Sequence, residues 1–227
     1  MSLPFSRDAF FAVFAAYNEA LWPFAVVLWL LTASAFLLLV RDRARPGFIS
    51  GLLAIHWAWA GLVYHAAFFS RINPAAWVFG GLFLLEAGLL GWHGVVRRRF
   101  PFSRRDRIHD ILSSALIAYA LLYPVIARAN GHVYPETPTF GVPCPTTILT
   151  IGFLMAANAP LPWGVTLIPI VWGFIGGSAA PLLGVHADWM LLAAGMLLLL
   201  DQIASRIRRA CHRAGRGRVS FRVERTR

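Results

Sequence analysis

The sequence predicts an all-α, polytopic membrane protein. It reads as a bundle of seven transmembrane helices, N-terminus out and C-terminus in, with an amphipathic interfacial helix at the N-terminus. Three observations predict this. Of 227 residues, 58% are hydrophobic and only 14% charged, against roughly 25% charged in a soluble domain. Apolar runs near the roughly 20 residues that cross hydrocarbon recur along the chain and leave no room for a separate soluble domain. Basic charge is confined: 18 of the 21 arginines fall in 41–46, 97–107 and the segment from 206 onward.

Residues 4–20 place Phe10, Phe14, Tyr17 and Leu21 on one helical face. Ser6 suits an N-cap and Asp8 a first turn. The segment is expected to lie in the membrane interface and to stop at Trp22-Pro23. It has no basic cluster and no cleavage pattern, which argues against a signal peptide. Transmembrane helices are expected at about 21–40, 48–69, 75–96, 111–127, 145–157, 163–183 and 189–203. Together they form one membrane domain over 1–204, followed by a basic, loosely ordered cytoplasmic tail at 205–227.

Seven helices put all three arginine-rich segments on one side, which the positive-inside rule assigns to the cytoplasm. Arg7, Arg71 and Arg128 then lie outside. Six helices would put either the loops or the tail on the wrong side, so parity supports the short fifth helix. The expected location is a bacterial inner membrane; an all-arginine basic complement fits GC-rich coding. The expected partners are the bilayer itself and anionic lipid headgroups at the basic loops and tail. The placement of the charge argues against nucleic acid, and a homo-oligomer is left open.

Between the fourth and fifth helices, the loop at 128–146 carries Pro135, Pro138, Pro143 and Pro145 and cannot be one continuous helix. The fifth helix has roughly 13 residues at about 1.5 Å each, too few to cross about 30 Å of hydrocarbon. Residues 139–144 are therefore expected to enter the membrane as extended chain. Such backbone is tolerated only within protein or beside a watery cavity. Cys144, Thr146 and Thr147 decorate the helix start, where free amides would meet an anionic group as in broken transporter helices.

Ionisable groups inside membrane helices mark pathways or bundle-interior contacts. Glu86, near the middle of the third helix, is the leading functional candidate as a proton-carrying carboxyl. His56 lies at a similar depth and could be its partner. His65 is nine residues beyond His56, half a turn off, unless the helix distorts at Gly61. His65, Asn73, Tyr17, Asn18, Glu19 and the start of the fifth helix make a polar outer vestibule above Glu86. Metal binding has weak candidates in Cys144, His132 and His65, with no ligand spacing to support them. The sequence names no cofactor. Without lysine there is no retinal Schiff base, and no Walker A, GxSxG or HExxH motif occurs. Glycines at 80, 81 and 88, and at 173, 176 and 177, are expected to let helices approach closely.

The functional expectation is a small-solute or ion permease, coupled to protons through Glu86. The alternatives are a membrane-embedded metal or redox protein, or an enzyme using Cys144 at the outer face, or a non-catalytic accessory subunit. The balance leans away from an enzyme.

The segments YNEALWP (17–23), WAGLVYHAAFFSRINPAAWVFG (59–80), PTFGVPCPTTILT (138–150) and IPIVWGFIGGSAA (168–180) resemble a bacterial family of small multi-pass membrane proteins of unknown function. Automated naming sometimes labels its members major-facilitator permeases. The resemblance covers most of the chain outside the tail and implies the architecture but no chemistry. The major-facilitator fold has twelve helices in two halves, against seven here.

Overall fold

The computed structural model describes residues 4–103 and 105–224, with side chains described through Cys211. Seven helices account for the architecture: α1 (Arg7–Val40), α2 (Pro46–Trp59), α3 (Ala76–Leu90), α4 (Arg107–Ala129), α5 (Pro143–Met155), α6 (Trp163–Leu183) and α7 (Trp189–Glu224). Six helical spans are long and apolar enough to cross a membrane, and α5 is too short. Large apolar side chains such as Trp22, Phe24, Leu30, Trp77, Val78 and Leu85 stay exposed on the bundle's outside, as lipid-facing surfaces require.

The interfacial helix expected at 4–20 is not a separate element. It is the first part of α1, which runs unbroken through Pro23 for 34 residues, about 51 Å. Its amphipathic face was legible, but its partner was not. Phe10, Val13, Phe14, Tyr17 and Asn18 are buried against protein rather than lipid. Proline does not end the helix, because a membrane bundle can re-satisfy the carbonyl it frees.

Helix α2 continues through a π-helical segment, Ala60–Phe68, and a 3₁₀ turn, Phe69–Arg71. Helix α3 likewise ends in a π segment, Gly91–Val96. The two helices cross where a Cβ on Gly61 would sit 3.0 Å from the Gly80 carbonyl oxygen. Similarly, a Cβ on Gly173 of α6 would sit 2.9 Å from the Cα of Gly195 in α7. Gly81 and Gly88, by contrast, face open space and serve no crossing.

Helix α5 is the core of the bundle. It packs against α2, α4, α6 and α7, and every one of its residues except Cys144 is buried. It begins at Pro143, two residues before the expected start, with proline in the first turn where a missing N–H costs little. Its 13 residues cover about 20 Å, and a buried turn at Phe140 and Gly141, not the extended chain expected over 139–144, leads through Val142 into it.

At the other end, the loop before α4 meets the loop after α5. Asn158 N–H donates to the Pro101 carbonyl at 2.8 Å, and Phe102 pairs with Ala157. Arg105 reaches Asp201 of α7, while Leu39 and Val40 of α1 share a small cavity with Ser103 and Asp110. All three arginine-rich segments thus converge on this end. Helix α7 runs on to Glu224, past the expected end at 203, so the expected tail is helical over 205–224. Residues 225–227 lie outside the described residues.

Asp106 caps α4, accepting from the backbone N–H groups of Ile108 and His109 at 3.1 Å each. The His109 backbone hydrogen bond, with the nearby imidazole, holds its carboxyl below the usual aspartate range. A depressed folded pKa stabilises at pH above the ordinary value near 4, and that contribution fades as pH falls through the depressed value. Asp106→Ala is expected to lower Tm at neutral pH by about 2–4 °C. The difference should shrink in acid, which thermal melts at the two pH values will measure.

Candidate functional site

The loop before α5 is stapled onto α1. The Tyr17 hydroxyl donates to the Phe140 carbonyl at 2.9 Å and accepts from Trp59 Nε1–H at 2.8 Å. Asn18 Nδ2 donates to the carbonyls of Pro135 and Thr137 at 2.5 and 2.8 Å, and its Oδ1 accepts from the Thr139 hydroxyl at 2.5 Å. Tyr17 and Asn18 therefore hold the loop and do not share a cavity with His65, Asn73 and Cys144, while Glu19 is exposed on the surface. Gly141 packs against this staple with φ +85°; a Cβ there would lie 2.4 Å from the Tyr17 hydroxyl and 2.7 Å from the Trp59 ring.

Beside the staple lies a cavity of about 190 Å³. Its walls are aromatic: Phe10 and Phe14 from α1, Tyr64 and Phe69 from the π and 3₁₀ segments that continue α2, Phe79 from α3 and Trp172 from α6. Polar groups are few: His65, Asn73, Tyr123, Cys144 and Asp188. Of the residues expected from sequence, the structure brings His65, Asn73 and Cys144 together here. Asn73 partly serves its own turn, accepting from Ala75 N–H.

Asp188, Tyr123 and Tyr64 were missed. Asp188 precedes Trp189 at the start of α7 and reads in sequence as a terminal charge. Yet it is 4% exposed, takes a short hydrogen bond from the Tyr123 hydroxyl, and is faced by the Cys144 thiol. The one signal available was its carboxylate between apolar runs, next to an aromatic.

The start of α5 does not form an anion cradle. Pro143 and Pro145 have no N–H, and Thr146 N–H is spent on the Val142 carbonyl. Thr147 turns its hydroxyl back to the Pro143 carbonyl at 2.9 Å. The prolines that let the chain enter the bundle also remove two of the donors at the helix end. With no arginine in the lining and one buried carboxyl, the cavity complements a cation.

The π winding of Ala60–Phe68 narrows the half-turn offset between His56 and His65, and both are buried. They still do not meet in one pocket. His56 Nε2 lies 3.0 Å from the Thr32 hydroxyl, not beside Glu86. His65 is ringed by Phe79, Phe83 and Trp172, with centroids 5.8, 4.9 and 5.3 Å away, and neither ring nitrogen has a partner among the described residues. Trp172 Nε1, the Thr146 hydroxyl and both Glu86 oxygens are likewise buried without partners. Phe83 packs on Trp172 at the cavity wall, and Glu86 follows it by one turn on the same buried face of α3.

Among the described residues, no three of His, Cys, Asp or Glu converge as metal ligands. Cys144 and His65 share the cavity, whereas His132 packs its ring on Phe11 at 4.6 Å. Burial pushes the His132 imidazole below its usual range. Cys144 and Cys211 are both free.

Comparison with protein families decides the affiliation. The profile of DUF6064, a family of unknown function, matches residues 7–213. The chain belongs to the DUF6064 family. The match takes in every described side chain of the cavity from Phe10 to Asp188. No curated protein and no solved structure matches the chain.

Proposed function

We propose that this protein is a small-solute permease of a bacterial inner membrane that binds a compact organic cation in the aromatic cavity. The observation that carries the reading is Asp188: a buried carboxyl, held by Tyr123, in a cavity walled by aromatic rings. Aromatic faces attract cations, most strongly when both are desolvated, and a buried carboxylate asks for a charge partner. A cavity of about 190 Å³ is a little larger than one that holds benzene, roughly 150 Å³, so the occupant is small. Partnerless polar atoms on His65, Trp172 and Glu86 support passage inward, since buried polar groups normally have partners. Glu86 is the proton-coupling carboxyl in this reading. The arginine-rich end faces the cytoplasm by the positive-inside rule, which puts the N-terminus and the cavity outside and the C-terminus inside.

The test uses a Cys211→Ser background, leaving Cys144 as the remaining thiol. Tetramethylammonium or benzylammonium is expected to slow maleimide labelling of Cys144 about ten-fold at ten times its Kd. Asp188→Asn is expected to weaken cation binding by about 30-fold or more, the cost of removing one member of a buried charge pair, so that the same concentration leaves almost no protection. Equal protection by benzoate, or none from any cation, overturns the cation site. Protection without flux in proteoliposomes, joined to chemical turnover that needs Cys144, would favour the enzyme reading.

A further inference from the structure

The arginine-rich end holds a second cleft, independent of the aromatic cavity. It has a volume of about 340 Å³ and is lined by Arg105, Asn158, Gln202, Ser205, Arg208 and Arg209, with Asp201 among them. Three separate stretches of chain build it: the segment before α4, the loop between α5 and α6, and the cytoplasm-proximal part of α7.

Asp201 organises the cleft. One carboxylate oxygen lies 3.5 Å from Arg105; the other lies 3.0 Å from the His109 imidazole and 3.9 Å from Arg208. Arg208 also donates to the Ser205 hydroxyl at 3.1 Å. A guanidinium has five N–H donors, and these contacts fix the forks of Arg105 and Arg208 while leaving most donors free. Arg209 has no ion pair or hydrogen bond among the described residues. The cleft therefore sets three guanidiniums against one carboxylate, which already shares its charge with His109.

A buried polar group points to a ligand as well. Gln202 is 2% exposed, and its Oε1 has no partner; its amide can present either end to the cleft. Depth supplies a further argument. Arg206, on the same turn of α7, stacks over the Trp163 ring at 4.8 Å from the centroid. Tryptophan at a helix end marks the headgroup level of a bilayer, where lipid phosphates lie.

We propose that this cleft binds a phosphate group of net negative charge, forked by Arg105, Arg208 and Arg209. Fork-to-phosphate pairing is what guanidinium geometry suits best. An anionic phospholipid headgroup and a free phosphate share this chemistry, and the experiment separates them.

Thermal melts are made on the full-length chain in detergent, with added phosphatidylglycerol, phosphatidylcholine or inorganic phosphate. Phosphatidylglycerol is expected to raise Tm by about 5 °C over phosphatidylcholine. Arg105→Ala with Arg209→Ala should remove most of that rise, whereas Arg41→Ala with Arg43→Ala, outside the cleft, should keep it. A rise with inorganic phosphate alone, lost in the same double variant, makes a free phosphate the ligand. Should the double variant fail to fold, Arg209→Ala alone serves, since Arg209 holds nothing else. The proposal is overturned if neither phosphate source shifts Tm relative to phosphatidylcholine, or if the shift survives loss of the cleft arginines unchanged.

Discussion

Gly141→Ala is expected to destabilise the protein by about 2–5 kcal/mol, the sum of left-handed backbone strain of about 1–2 and overpacking of about 1–3. The new methyl would lie 2.4 Å from a tyrosine hydroxyl that cannot yield. Tyr17 is fully buried and hydrogen-bonded on both sides, to Trp59 and Phe140. Relief requires either breaking those bonds or moving the turn that leads into α5, on which α2, α4, α6 and α7 pack. Gly131→Ala is the control. Its φ is also positive, +95°, but nothing lies within 4 Å of its would-be Cβ, so only the strain remains, about 1–2 kcal/mol. Paired thermal melts in detergent measure both. Equal losses would mean that the contact with Tyr17 carries no cost.

Glu86→Met is expected to raise stability by about 1–3 kcal/mol while abolishing flux. Both Glu86 oxygens are buried with no hydrogen-bond partner, and a polar group left so costs about that much. Methionine fills similar space and carries no such penalty. A residue that weakens the fold where it stands is one that function retains. Glu86→Gln separates the two effects: flux should vanish with stability nearly unchanged. A fall in Tm for Glu86→Met would mean that the carboxyl is a structural hydrogen-bonding group, and the proton-coupling role would fall with it.

Much of this could be read from the chain alone. Apolar run length placed the apolar centres of the six long spans, and proline spacing marked the break before α5, because both depend on local chemistry. The continuity of α1 was hidden because Pro23 reads locally as a stop, and what overrides it is the face of Phe10, Phe14 and Tyr17 finding protein to pack on. The pairing of Tyr123 with Asp188 was hidden for a different reason. These residues are 65 positions apart, on helices that no periodicity assigns as neighbours. His65, Asn73 and Cys144, which the structure gathers around one cavity, stand out in the sequence because each is a polar residue at one end of an apolar run. Tyr17 and Asn18 passed the same filter and turned out to be fasteners, since polarity at a helix end does not reveal what it will face.

The π-wound stretch Ala60–Phe68 has a bearing on more than the two histidines. Hydrogen bonds that skip one extra residue amount to a surplus residue stored inside an otherwise regular helix. The surplus sets the phase of everything after it: Phe69 and Asn73 face the cavity because the count before them runs one long. The stretch from Ala60 to Arg71 is thus indexed separately from α2 before it, like two gears on one shaft joined at the close crossing of Gly61 and Gly80.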